Sequence, residues 1–204
     1  MIFPINKSKY RILKEIYAKP GIKISELCKK TKASSNICYF HLKNLRDSEI
    51  VKEETIGKKP QIRALHPNIK SENGKAVFSL LENQKRLEFF EKYKSLKGCF
   101  FQISNNMPKY VLTVLVFGSY SRFAATKESD LDLLFIVSGM KNLQELENLV
   151  EEAFVTFGRE VSSRILTEKE FLGGKKEDAL IKSLVKEHIC AYNSFGFLEI
   201  LAKE

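Results

Sequence analysis

Apolar positions in the first third of the chain recur at helical spacing. Ile12, Leu13, Ile16 and Tyr17 predict a helix over about residues 8–18, which Lys19-Pro20-Gly21 would end. Ser25 is the expected N-cap of a second short helix, Glu26 to Lys32, that buries Leu27 and Cys28. A turn at Ala33-Ser34-Ser35 leads to a third helix with Cys38, Leu42 and Leu45 as its buried stripe. The period then shortens. Residues 49–55 and 60–65 flank Ile56-Gly57-Lys58-Lys59 and predict a hairpin with a basic tip. Residues 72–97 return to helical spacing through Val77, Leu80, Leu81, Leu87 and Phe90, interrupted by Gln84. Such a helix either pairs with its copy or packs on its own two domains, and a homodimer is the expectation taken.

The second half reads differently. Val111 to Phe117 and Leu131 to Val137 are short apolar runs rich in β-branched residues or Phe, as buried strands are. Asn142-Leu-Gln-Glu145 has the spacing of a capping box, and Leu143, Leu146, Leu149, Val150, Ala153, Phe154 and Phe157 share one helical face after it, up to Gly158. Arg159 to Leu166 alternates as a third strand. Thr167 to Glu170 is another capping box, and Gly173-Gly174 is expected to break the chain before a last amphipathic helix with Ala179, Leu180, Leu184 and Val185. No internal repeat or low-complexity segment is visible.

The polar residues between the two apolar runs carry the chemistry. Ser129-Asp130-Leu131-Asp132 opens the second run, so two carboxylates occupy alternate positions of a strand, on one face and about 6.6 Å apart along it. That spacing suits divalent cations held against a phosphate chain. Alone, Asp-x-Asp at a strand end reads as a solvated rim. Gly118-Ser119, at the end of the first strand and entering a short helix, adds free backbone N–H groups and a hydroxyl, which are phosphate donors.

Gly118-Ser119-Tyr120-Ser121-Arg122 with Ser129-Asp130-Leu131-Asp132-Leu133 resembles the G-S-x-[AS]-R…S-D-[LI]-D-L signature of minimal nucleotidyltransferases, in the DNA polymerase β-like superfamily. The resemblance covers about residues 100–200. It implies transfer of a nucleoside monophosphate from a nucleoside triphosphate to an acceptor hydroxyl, with ATP among the candidate donors. Asp130 and Asp132 would be catalytic and hold Mg²⁺. Gly118 and Ser119 would hold the β and γ phosphates, and Arg122 would touch phosphate or pair with a carboxylate. Phe123 stands where the family usually has Gly. The superfamily takes a third acid from the strand after the long helix; the matching position here is Ser162, and Glu160, two positions earlier on the same face, is the candidate base. Two other roles stay open: a DNA-binding regulator whose transferase domain only binds nucleotide or a partner, and an antitoxin acting on a HEPN-type protein.

Three helices and a basic hairpin within about 60 residues resemble a winged helix-turn-helix. Cys38 to Leu45 followed by Ile50-Val51 is similar to the recognition helix and wing entry of MarR- and ArsR-like domains. The resemblance implies contact with duplex DNA by Ser35, Asn36, Tyr39 and Lys43, and by Lys58 and Lys59 at the wing. A module used for protein contacts is the alternative. His41 reads as a packing or phosphate-contact residue.

The expected class is therefore α+β: a winged helix-turn-helix at 1–70, a connecting helix at 71–97, and a nucleotidyltransferase fold at 98–204, a short mixed sheet flanked by helices. Charge agrees with two different partners. Residues 1–97 hold 22 Lys and Arg against 10 Asp and Glu, and residues 98–204 hold 12 against 15, which together make the net +9. A Lys-rich solvated surface would give the same balance. Cys28, Cys38, Cys99 and Cys190 are scattered without zinc spacing and are expected as reduced thiols. No apolar run approaches the roughly 20 residues that span a bilayer, and no signal-peptide order opens the chain, so the expected location is the cytoplasm.

Overall fold

The computed structural model describes residues 6–57, 61–140, 143–155, 157–158 and 160–203. The chain forms two compact units that divide between Leu81 and Glu82.

The first unit opens with α1 (Lys7–Ala18), capped by Asn6, whose side chain accepts from the Lys9 N–H. β1 (Ile22–Lys23), α2 (Ile24–Thr31) and α3 (Ser35–Asp47) follow, then β2 (Val51–Ile56) and β3 (Ile62–Pro67). The three strands form an antiparallel sheet in the order β1-β3-β2. Ile12, Leu13 and Ile16 of α1, Leu27 of α2 and Cys38, Leu42 and Leu45 of α3 are all buried, as their spacing predicts. The expected cap at Ser25 is corrected. α2 starts two residues earlier, at the buried Ile24, with Lys23 at its N-cap and no side-chain cap bond.

The expected helix over 72–97 is two helices, α4 (Glu72–Lys92) and α5 (Lys94–Asn105). No Pro or Gly makes the break. Tyr93 leaves helical geometry, and its ring packs against Phe89, at 5.1 Å between centroids, and Tyr120, at 4.9 Å. Of the apolar stripe on α4, Val77 and Leu81 are buried while Leu80 and Leu87 are exposed.

The second unit continues with β4 (Val111–Phe117), α6 (Gly118–Ser121), β5 (Leu131–Val137), α7 (Leu143–Phe154), β6 (Val161–Thr167), α8 (Glu168–Glu177), α9 (Ala179–Lys186), β7 (Ile189–Tyr192) and α10 (Ser194–Ala202). Its sheet runs β6-β5-β4-β7; β5 is antiparallel to β4 and parallel to β6, and β4 is antiparallel to β7. The expected mixed sheet is thus present. Alternation along β5 splits its side chains between two layers. Leu131, Leu133, Phe135 and Val137 join a core with Phe100, Ile103, Leu146 and Val150, while Leu134 and Ile136 join another with Phe171, Ile181, Leu184 and Phe197.

Two expectations fail in the C-terminal part. Gly173 and Gly174 do not break the chain but lie inside α8, and a Cβ on Gly174 would sit 2.2 Å from the Ile181 Cδ1 of α9. Glycine there permits close helix packing. The break falls at Asp178, whose carboxylate caps α9 through the N–H groups of Leu180 and Ile181. α9 is also not the last element, since β7 and α10 follow it. The capping box at Thr167–Glu170 is present, whereas the one expected at Asn142 lies outside the described residues. Arg159 is likewise outside, and β6 starts at Val161.

Candidate active site and nucleic-acid interface

The end of β4 lies beside the start of β5, and their register sets Phe117 opposite Asp132. At Gly118 the chain turns into α6 with φ +69, a conformation that costs a residue with a Cβ but not glycine. Glycine is also required for space: a Cβ there would lie 2.1 Å from Asp132 Oδ2. The Asp132 carboxylate therefore rests against the bare start of α6. Ser119 follows, half-buried. Ser121 is buried and its hydroxyl faces the Gly118 and Glu187 carbonyl oxygens, at 3.0 and 2.9 Å. Arg122 is exposed and lies 3.9 Å from Glu187, the carboxylate pairing that was one of its two expected roles.

Asp130 and Asp132 share the face of Leu134 and Ile136, with Asp130 exposed and Asp132 half-buried. Burial first, and the neighbouring Asp130 charge second, push the Asp132 carboxyl above the usual aspartate range, against the opposing pull of Arg164 and Arg122. The Asp130 charge makes the ionised form of Asp132 costlier, and a hard cation that completes its shell with phosphate and water oxygens, as Mg²⁺ does, would offset that cost. The parallel pairing of β5 with β6 sets Ser162 beside Asp132, and the Leu131 N–H donates to the Glu160 carbonyl oxygen at 3.0 Å. Glu160 thus stands at the level of Asp130, exposed and just before the strand. Among the described residues no group of three His, Cys, Asp or Glu is placed to hold a metal ion. The fit to Mg²⁺ rests on the Asp130–Asp132 pair.

Phe123 has φ +58, in the left-handed region where glycine is usual, so the turn after Arg122 carries a large side chain on a strained backbone. The ring stacks on Tyr93 (6.4 Å between centroids, 22° between planes), and meets Phe89 edge-on. Lys92 donates to the Phe123 carbonyl oxygen, and its ammonium lies 5.8 Å from the ring centroid.

In the first unit, Ser34 caps α3 by accepting from the Ile37 N–H. Ser35, Asn36, Tyr39 and Lys43 all lie exposed on α3, turned away from the Cys38-Leu42-Leu45 stripe. Sequence reasoning missed Ile37 and Phe40, which are 46% and 64% exposed on the same helix. Apolar residues outside the buried stripe were the signal. His41 is buried, and burial first, then Lys9, lowers its pKa, as a packing residue's would be. Lys58 and Lys59 lie outside the described residues.

A winged three-helix unit, followed in the chain by a strand pair that presents Gly-Ser against Asp-x-Asp, defines the class. The chain is a winged helix-turn-helix joined to a nucleotidyltransferase domain. A winged helix-turn-helix DNA-binding family model matches residues 5–52, and a nucleotidyltransferase domain model matches residues 101–189. Among solved structures, the transcriptional regulator SlyA is similar at 19% identity and a TM-score of 0.34, over 46% of this chain and 61% of that one. The chain thus spans about three fifths of SlyA. TrmBL2, described as an archaeal chromatin protein, is similar at 18% identity and a TM-score of 0.28, over 87% of this chain and 71% of that one. No curated protein matches the chain. Among the described residues no helix is long and apolar enough to cross a membrane.

Proposed function

We propose that the second unit transfers a nucleoside monophosphate from a nucleoside triphosphate to an acceptor hydroxyl with Mg²⁺, and that the first unit binds duplex DNA. The observation that carries this reading is the contact of the Asp132 carboxylate with the Cβ-less Gly118, which joins a phosphate cradle to a carboxylate pair. The Gly118 N–H and the Ser119 hydroxyl bind the β and γ phosphates at the start of α6. Asp130 and Asp132 would hold Mg²⁺, which when bound supplies charge neutralisation of the triphosphate. Glu160, at the level of Asp130, is the residue of this chain available to accept the proton of the acceptor hydroxyl. On the DNA side, Asn36 and Tyr39 would face base edges and Lys43 phosphate.

A second reading has its own observation. Ser162, not an acid, stands beside Asp132, where the third carboxylate of this superfamily is expected. This favours a DNA-binding regulator whose transferase domain holds nucleotide without moving it. Incubation with each labelled ribonucleoside triphosphate, Mg²⁺ and cell extract separates the two. Label joined to a macromolecule or metabolite, and lost with Asp132→Asn, supports transfer; saturable nucleotide binding with no labelled product supports the regulator.

A further inference from the structure

A second polar hollow lies in the transferase unit, outside the Gly118–Asp132 pair. It is an open hollow of about 320 Å³ lined by Lys92, Lys94 and Lys127, all exposed, together with Tyr93, Ser95 and Tyr120. Three ammonium groups thus line one small space, and no carboxylate is among its lining residues. Glu128, next to Lys127 in the chain, accepts a hydrogen bond from the Thr126 hydroxyl at 3.0 Å. Lys92 uses one of its three N–H donors on the Phe123 carbonyl. Lys94 and Lys127 make no ion pair among the described residues.

The helix beneath the hollow adds charge of the same sign. α5, 12 residues long, starts at Lys94; Tyr93 at its N-cap makes no side-chain cap bond, and its first turn holds no acidic residue. Lysine at a helix N-terminus opposes the helix dipole, so the local sequence works against the stability of its own helix. Such conflicts are expected where a ligand resolves them. An anion in the hollow would be met by the lysines and by the positive end of α5 at once.

The hollow is separate from the donor's phosphate cradle. Tyr93, Tyr120 and Ala125 of its wall pack into the Phe100-Ile103-Leu146 core, whereas alternation along β5 turns Asp130 and Asp132 towards the opposite layer. Yet both are built on one stretch of chain: α6 and the 122–130 loop supply Tyr120 and Lys127 to the hollow and end at the carboxylates. Binding energy gathered at a distance from the reacting atoms can be used to orient them.

We propose that this hollow binds a phosphate group of the acceptor substrate, so that the hydroxyl to be modified belongs to a phosphate-bearing molecule. The proposal rests on the transferase reading above and adds the chemical class of the acceptor. Phosphate monoesters of small metabolites and phosphodiesters of a strand end share this chemistry. Two probes distinguish them: ribose 5-phosphate, and a labelled tetraribonucleotide without terminal phosphate. Each is titrated into the full chain and into Lys94→Ala/Lys127→Ala, in parallel with ATP and Mg²⁺. The expected result is a tenfold or larger loss of affinity for one probe, with ATP–Mg²⁺ affinity unchanged within about twofold; the probe affected identifies the source. Unchanged affinity for both probes overturns the proposal. So does a parallel loss of ATP–Mg²⁺ affinity, which would assign these lysines to the donor's triphosphate. Lys127→Glu serves as a second variant, with the same reading of outcomes and a larger loss expected. Because the readout is binding, a chain that never transfers nucleotide but shows the probe-specific loss retains a phosphate site and loses only the transferase reading.

Discussion

Gly118 and Asp132 touch across the β4–β5 pair so closely that a single added carbon on the glycine would sit 2.1 Å from the carboxylate oxygen. A side chain cannot be added at Gly118 without moving the Asp132 carboxylate. Gly118→Ala should push the Asp132 carboxylate out of place and strain the backbone, since φ is +69. We expect a loss of nucleotide–Mg²⁺ affinity of tenfold or more, and a destabilisation of about 1 kcal/mol or more. Isothermal titration and thermal unfolding read the two effects separately. Unchanged nucleotide affinity in a folded Gly118→Ala protein would remove the cradle from the site.

Asp132 sets a pH dependence whose sign follows from its surroundings. Burial and the Asp130 charge raise its pKa, so folding favours the protonated carboxyl. That contribution is fully present below the usual aspartate range, near about 4, and is lost as pH rises through the raised value. In metal-free protein, Asp132→Asn should therefore unfold at a higher temperature than wild type at pH 7, with the difference closing as pH falls towards about 4. The same variant should lose Mg²⁺-dependent nucleotide binding. A variant less stable than wild type at pH 7 would contradict the repulsion.

Phe123→Gly tests two opposed terms. Relief of the left-handed backbone should return about 1–2 kcal/mol. Loss of a half-buried ring packed on Tyr93 and Phe89 should cost somewhat more, about 2–3 kcal/mol with the cavity it leaves. We expect a net loss of about 1 kcal/mol by denaturant unfolding. A net gain would mean that the ring contributes little and that backbone strain dominates.

Glu82 and His188 are 1% and 3% exposed, and the Glu82 Oε1 meets His188 Nε2 at 3.1 Å, while Nδ1 faces the Leu184 carbonyl at 3.0 Å. Removing one member of a buried pair strands the other, at a cost of about 3–5 kcal/mol. Glu82→Ala should thus be among the most destabilising single changes in the second unit. Thermal unfolding that matches wild type would show that the pair contributes nothing.

On α3, Lys43 and Phe40 are both exposed but should act differently on duplex DNA. Lys43→Ala should flatten the dependence of log affinity on log salt by about one unit. Phe40→Ala should weaken binding with the slope unchanged, because an apolar ring reads thymine methyl groups and releases no counterions. Equal slopes in both variants would take Lys43 off the phosphate backbone.

Which elements exist was largely written in the order of residues. The buried stripes of α1 and α3, the two apolar strands, the capping box at Thr167 and the Gly-Ser/Asp-x-Asp spacing depend on contacts within a few positions, so their period and residue types suffice. What sequence left open depends on neighbours distant along the chain. Gly174 looks like a breaker until Ile181 packs against it, and Tyr93 looks helical until the rings of Phe89 and Tyr120 claim it. The conformation at Phe123 is invisible in its residue type, since only the surrounding aromatic cluster holds a bulky side chain at positive φ. Likewise, the parallel register of β5 and β6 decides that Ser162 stands beside Asp132 and Glu160 beside Asp130. A one-step slip of that register would exchange the faces of every side chain on β6.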